Sequence, residues 1–171
     1  MTYERSSHCR ATLADAPALA GVHTQSWRET YTGLLSPDFL ERATNGGARQ
    51  RREQGWQTTI EWGQEAVFIA EQDGKIIAFA SVGPARDHPG YTHELMTLYS
   101  LRESQGQGVG KRLLRAVICQ VQKKGGTNLA LWVLATNPTR QWYASQGARE
   151  AGEKLDSELQ EVRMVWDHLP G

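Results

Sequence analysis

Apolar residues recur along the chain in two rhythms. Ala66 to Glu71 and Lys75 to Val82 are apolar runs of strand length, and Gln72-Asp73-Gly74 between them is a hairpin signal, because Asp-Gly accepts the positive φ of a tight turn. Ser7 to Leu13, His93 to Leu101 and Glu161 to Trp166 read as further strands. Leu129 to Leu134 is apolar almost throughout, which predicts a strand buried on both faces. Elsewhere the apolar positions fall at helical spacing. Leu19, Val22, His23 and Trp27 mark a helix running to about Tyr31, capped by Asp15 with Pro17 in its first turn. Ser36-Pro37-Asp38 opens a second helix by the same signals. Val109, Leu113, Val117, Ile118 and Val121 form the stripe of another, stopped by Gly125 after Lys123 and Lys124. Asn137-Pro138 opens a short last helix that ends near Gly147. Thr44 to Gln54 reads as part of a polar-faced helix or its flank, and Pro84 to Gly90 as a loop. Strands and helices in the order β, α, α, β, β, β, α, β, α, β predict a mixed α/β fold.

Composition narrows the class. The chain has 171 residues, which predicts a single domain over 1–171. Nineteen Lys and Arg balance nineteen Asp and Glu, so the basic footprint of a dedicated nucleic-acid binder is missing. The cluster Arg49, Arg51 and Arg52 is expected on a solvated face, with phosphate binding as the alternative. No apolar run approaches the ~18 residues of a membrane span, and Met1 to Arg5 lacks the apolar core of a signal peptide. Cys9 and Cys119 stand far apart with no CxxC spacing, which excludes a disulfide scaffold and a thiolate zinc site. They are expected as reduced, buried thiols in a cytoplasmic protein. His88 and His93 flank a loop but have no third ligand at ordinary spacing, so no metal is expected.

The informative segment is Gln105-Gly106-Gln107-Gly108-Val109-Gly110-Lys111, between a predicted strand and a predicted helix. Glycine lets a backbone turn tightly and approach a ligand, and the first N–H groups of a helix form an anion site. The Walker A pattern fails, because Gly110-Lys111 is followed by Arg112 rather than Ser or Thr. The dinucleotide pattern GxGxxG fails as well, since the glycines alternate.

The remaining pattern, Gln105-x-x-Gly108-x-Gly110 after Glu94 to Glu103, resembles the pyrophosphate loop of the GCN5-related N-acetyltransferase (GNAT) superfamily. A second segment, Leu131 to Pro138 followed by Trp142-Tyr143-Ala144-Ser145-Gln146-Gly147, is similar to that family's Asn and Tyr region. Tyr143 to Gly147 keeps the family spacing, whereas Asn137 to Tyr143 is one residue short. One helical residue is ~100° of rotation, so a local adjustment is expected between them. Ala148 replaces the family's aromatic residue and predicts a smaller core contact.

The resemblance implies a central, mostly antiparallel twisted sheet of about six to seven strands flanked by about four helices. It implies an N-acetyltransferase that moves acetyl from acetyl-CoA to a primary amine, by direct attack in a ternary complex. The donor contacts it implies are Leu98, Tyr99 and Ser100 on a strand that splays from its neighbour, then Gln105, Gly106, Gln107, Gly108, Val109, Gly110, Lys111 and Asn137. An amine with a pKa near the lysine reference of ~10.4 must lose a proton to attack, and Glu94, eleven residues before Gln105, is the candidate base. Tyr143 is the candidate acid for the leaving thiolate. Trp27 and Tyr31 share a helix face and either wall an acceptor pocket or pack on the sheet. Cys119 is expected to be packed, which leaves no covalent acetyl-cysteine route. A homodimer is compatible with the family. Two alternatives stay open at this point: a CoA-binding regulatory or sensing module without turnover, and a phosphate-loop nucleotide binder.

Overall fold

A computed structural model describes residues 7–170; Met1 to Arg5, the segment scanned for a leader, lies outside them. The strands are β1 (Ser7–Arg10), β2 (Ala66–Gln72), β3 (Lys75–Pro84), β4 (His93–Ser100), β5 (Leu129–Leu134), β6 (Arg149–Asp156) and β7 (Leu159–Trp166). The helices are α1 (Ala16–Tyr31), α2 (Pro37–Thr44), α3 (Gly46–Trp62), α4 (Val109–Lys123) and α5 (Thr139–Ser145). The strands form one seven-stranded sheet in the order β1-β2-β3-β4-β5-β7-β6. Every neighbouring pair is antiparallel except β4 and β5, which run parallel.

Local chemistry explains most of these boundaries. Asp73 (φ 54°) and Gly74 (φ 74°) make the tight β2–β3 hairpin. Ser36 caps α2 by accepting from the Phe39 N–H at 3.2 Å. Asp15 was expected to cap α1, but its carboxylate instead accepts from the Thr12 N–H at 2.8 Å and closes a short 3-10 turn. That turn cuts β1 back to Arg10. The polar stretch from Thr44 splits at Asn45, which caps α3 by accepting from Ala48 N–H at 2.8 Å. The helix then runs on to Trp62, well past Gln54. Strand β6 went unread because its pattern is polar and mostly exposed, with no apolar alternation to mark it.

One face of the sheet carries α4 and α5, whose Leu113, Val117, Val121 and Tyr143 pack on Ala78, Ala80, Leu95 and Leu131. The other carries α1 and α3, whose Leu19, Ala20 and Trp56 pack on Ile69 and Phe79. Three expectations change here. Arg52 does not lie on a solvated face: it donates to the Thr24 hydroxyl and the Ala43 carbonyl, and its guanidinium sits 5.3 Å from the Trp27 ring. Cys9 and Cys119 are both exposed rather than buried. Strand β5 is fully covered only in its first half: Ala130 is buried, whereas Trp132 and Leu134 on the same face are half-buried and line a cleft. Ala148 does fill little space, and the neighbouring Trp166 closes the turn by donating its indole N–H to the Gln146 carbonyl at 3.0 Å.

Candidate active site

The cleft, of about 900 Å³, runs from the amino-terminal end of α4 across the middle of the sheet to the β6–β7 hairpin. Its origin is a split between β4 and β5. The two strands are in register only at Glu94 and Ala130, near the start of each. Beyond that pair they have no further partners in register, so the carboxyl-terminal half of β4 faces an opening. Which β4 groups face it follows from the ladder on the other side. Leu101 N–H donates to the Ile77 carbonyl at 2.9 Å, and Tyr99 stands opposite Phe79 in the same ladder. Backbone groups alternate sides along a strand. Tyr99 is therefore committed to β3, while Leu98 and Ser100 turn their N–H groups to the opening. Tyr99 serves through its side chain instead: its hydroxyl lies 3.1 Å from that of Tyr31.

A bulge sets the direction of Glu94. Ser81 stands opposite Thr97, but Val82 stands opposite Leu95, so Met96 is an extra residue on β4. Leu95 and Leu98 consequently pack into the same core although three apart. Glu94 is thereby turned to the opposite face, the one that carries Tyr99. It is 6% exposed and lines the cleft. Its Oε1 accepts from the Arg86 backbone N–H at 3.0 Å, and the Arg86 guanidinium stands 3.8 Å away.

At the other end the glycine loop forms an anion cradle. Gly106 (φ 79°) and Gly108 (φ 77°) hold left-handed conformations that side chains rarely adopt. Gly108 precedes α4 directly, so the first N–H groups of that helix point out of it without helical partners. The Gln105 side chain donates to the Ser100 carbonyl at 3.2 Å, which ties the loop to the end of β4. Lys111 and Gly110 line the cleft beside it. Gln107 does not: it packs back on the loop, donating to the Glu103 carbonyl at 3.5 Å and accepting from Arg112 at 3.4 Å. The left-handed glycines, unpaired N–H groups and a lysine are the donor set a pyrophosphate requires.

Tyr143 and Asn137 reach the same cleft despite the shortened spacing. The adjustment is at Asn137, whose Oδ1 accepts from Thr139 N–H at 2.9 Å and so holds the start of α5. The Tyr143 ring packs edge-on against Trp142 and Trp166, with centroids 5.3 and 6.2 Å apart. Burial, together with nearby Tyr31, raises its phenol above the usual range. Burial likewise raises Tyr31, against the hydrogen bonds from Tyr99 and Asn137. Trp27 and Tyr31 meet edge-on at 4.5 Å, and both line the cleft. The two rings thus pack on each other and line the cleft at once.

Several cleft residues carried no readable sign in the sequence. His23 is one: burial, aided by Arg52, pushes its pKa down to about 3, and its Nδ1 accepts from the Trp56 indole at 3.3 Å. Trp132 on β5, and Lys154, Asp156, Leu159 and Glu161 on the β6–β7 hairpin, are others. The turn residue Ser157 (φ 55°), next to Asp156 at the end of β6, was the available signal for that hairpin. Among the described residues no group of three or more His, Cys, Asp or Glu side chains is placed to hold a metal ion. No described helix is long and apolar enough to cross a membrane.

A mixed sheet split in its middle, with a glycine anion loop at one end of the split, defines an acyl-CoA transferase architecture. Residues 27–148 match the acetyltransferase (GNAT) family, and the chain belongs to that family of N-acetyltransferases. It is 31% identical over 165 residues to the uncharacterized N-acetyltransferase YuaI of Bacillus subtilis, covering 93% of this chain and 91% of the relative. The fold is similar to the PaiA N-acetyltransferase of Thermoplasma acidophilum in complex with coenzyme A, with a TM-score of 0.76 and 21% identity over 92% of this chain and 96% of that one. It is also similar to YncA of Salmonella typhimurium with acetyl-CoA, with a TM-score of 0.71 and 21% identity over 96% and 94% of the two chains.

Proposed function

We propose that residues 1–171 form a single catalytic domain that transfers acetyl from acetyl-CoA to a primary amine by direct attack in a ternary complex. The observation that carries this reading is the placement of Glu94 and Tyr143 on one cleft, with the β4–β5 split and the glycine loop between them. The donor fits the loop: its pyrophosphate suits the N–H groups at Gly108 to Lys111, and the PaiA and YncA structures hold coenzyme A and acetyl-CoA. Direct attack is favoured because neither Cys9 nor Cys119 lines the cleft.

The thioester supplies the acetyl group, and the chain's own residues manage charge and protons. Glu94 takes a proton from the acceptor's ammonium group, leaving the nitrogen lone pair free to attack the carbonyl carbon. The N–H groups of Leu98 and Ser100, preset by the sheet, stabilise the negative charge that develops on the carbonyl oxygen. As the C–N bond forms and the C–S bond breaks, the Tyr143 hydroxyl gives its proton to sulfur. The nitrogen's second surplus proton returns to the Tyr143 phenolate and Glu94 releases its own to solvent, so one proton is set free per turnover. Trp27 and Tyr31 wall the acceptor side.

Glu94→Gln tests the assignment. Turnover, followed as free CoA thiol across a panel of amines, should fall ~10²–10⁴-fold, while CoA still raises the melting temperature as in the wild type. Full turnover in this variant moves the base to another residue.

A further inference from the structure

Glu94 has a second partner whose role the reaction above does not use. His88, on the loop between β3 and β4, is 4% exposed, and its ring stacks on Trp132 at 5.1 Å with 29° between the planes. Arg163 of β7 donates from Nε to His88 Nδ1 at 2.9 Å, and from Nη2 to the Asp87 carbonyl at 2.8 Å. A guanidinium has protons and no lone pair to offer, so Nδ1 is the accepting nitrogen of the ring. The single proton of a neutral imidazole then sits on Nε2. That nitrogen is sealed from solvent, makes no formed hydrogen bond, and lies 3.5 Å from Glu94 Oε2. A buried donor left without a partner is costly, and the carboxylate beside it is an acceptor.

We propose that His88 is a positioning residue for Glu94: Arg163 fixes its imidazole as the Nε2–H tautomer, and this N–H and the Arg86 backbone N–H each hold one carboxylate oxygen. The proposal rests on the reading of Glu94 as the base. Charge supports it: burial lowers the pKa of His88 and Arg163 lowers it further, against the opposing pull of Glu94, so the ring stays neutral. The charged groups around the pair are Arg86 and Asp87 on the loop, Arg163 on β7, Lys154 over the Trp132 ring, and Glu65 ahead of β2. The clamp has two consequences. It keeps the carboxylate aimed, because each of its two oxygens faces a fixed N–H group. It also closes one exit for the proton, since Nε2 already carries one. A proton taken from the amine must leave through the cleft.

Two variants and one spectrum test this. His88→Phe keeps a ring on Trp132 and removes the N–H; His88→Gln returns an amide N–H to the same region. With Phe, kcat should fall about tenfold while the KM for acetyl-CoA stays within about twofold of wild type. The melting-temperature gain from CoA should be unchanged, and Gln should restore most of the lost kcat. In the unliganded wild-type protein, ¹⁵N spectra of the imidazole should report the Nε2–H tautomer. An unchanged kcat in a folded His88→Phe protein overturns the proposal. So does an Nδ1–H tautomer, which decides the matter even if His88→Phe does not fold. Full activity of Glu94→Gln would instead remove the base itself, and the clamp with it. An inactive Glu94→Gln beside a fully active His88→Phe removes the clamp alone.

Discussion

Replacing Tyr143 with Phe separates chemistry from packing more cleanly than any other change in the cleft. The side chain is 5% exposed and belongs to the core beneath α4. Its hydroxyl lines the cleft and has no hydrogen-bond partner among the described residues. Tyr143→Phe keeps the ring against Trp166 and removes an oxygen that no protein group holds. Stability should therefore change by no more than about 0.5 kcal/mol, or ~1–2 °C in melting temperature for a chain of this length. The effect on turnover comes from a different source. A phenol raised above its usual range is a weak acid, and a thiolate is a fair leaving group without help. The loss should thus lie at the low end of general-acid effects, ~10²-fold, equivalent to ~2.7 kcal/mol of barrier. The assay pairs thiol release at saturating acetyl-CoA with a thermal melt of the same preparation. Turnover within about twofold of wild type refutes the acid role. A drop of ~1 kcal/mol in stability with turnover intact would show that the oxygen is structurally bonded after all.

Two further outcomes follow from the geometry. Gly108→Val forces a β-branched residue into φ 77° at the head of α4, so the loop should rebuild and the melting-temperature gain from CoA should vanish in a thermal-shift titration, while the rest of the sheet still melts cooperatively. Burial, aided by Arg52, pushes the His23 pKa in the folded protein down to about 3 from its ordinary 6.5. The unfolded chain therefore binds the proton first: stability is flat above about pH 6.5 and falls by up to ~1.4 kcal/mol per unit as pH drops toward 3. His23→Gln should flatten that part of a stability-against-pH curve measured by denaturant unfolding, and an unchanged curve would mean that His23 is not the titrating group.

The sequence was legible where physics leaves a local mark. Asp73-Gly74, Ser36-Pro37 and the stripe from Val109 to Val121 each state a turn, a cap or a face within a few residues, and each stands as read. The glycine alternation from Gly106 to Gly110 was equally local, and it led to the donor end of the cleft. Features set by long-range pairing left no such mark. Met96 looks like any strand residue until the register on both sides of it is known, yet it turns Glu94 to the face that carries Tyr99. Strand β6 is polar because it is a sheet edge, so periodicity could not find it or the four cleft residues of its hairpin. Arg52 and Cys119 were misjudged for the same reason: burial of a single residue on a helix depends on what packs there, not on its type. His88 was visible only as a loop histidine. Its meaning comes from Arg163, which lies on a strand far away in the chain.

The single register pair between β4 and β5 has a mechanical consequence. In an ordinary sheet each strand is stitched to both neighbours, and the whole behaves as one plate. Here β1 to β4 and β5 to β7 are two plates fastened near one end, with α4 and the core beneath it acting as the backing. An extended, amide-bearing arm lying in the opening would supply stitches that the chain itself omits. The empty protein should therefore breathe along this line, and its slow-exchanging amides should stop at it. Loading the donor should spread exchange protection outward from Leu98 and Ser100 into β5, so that the acyl donor completes the sheet on which it reacts.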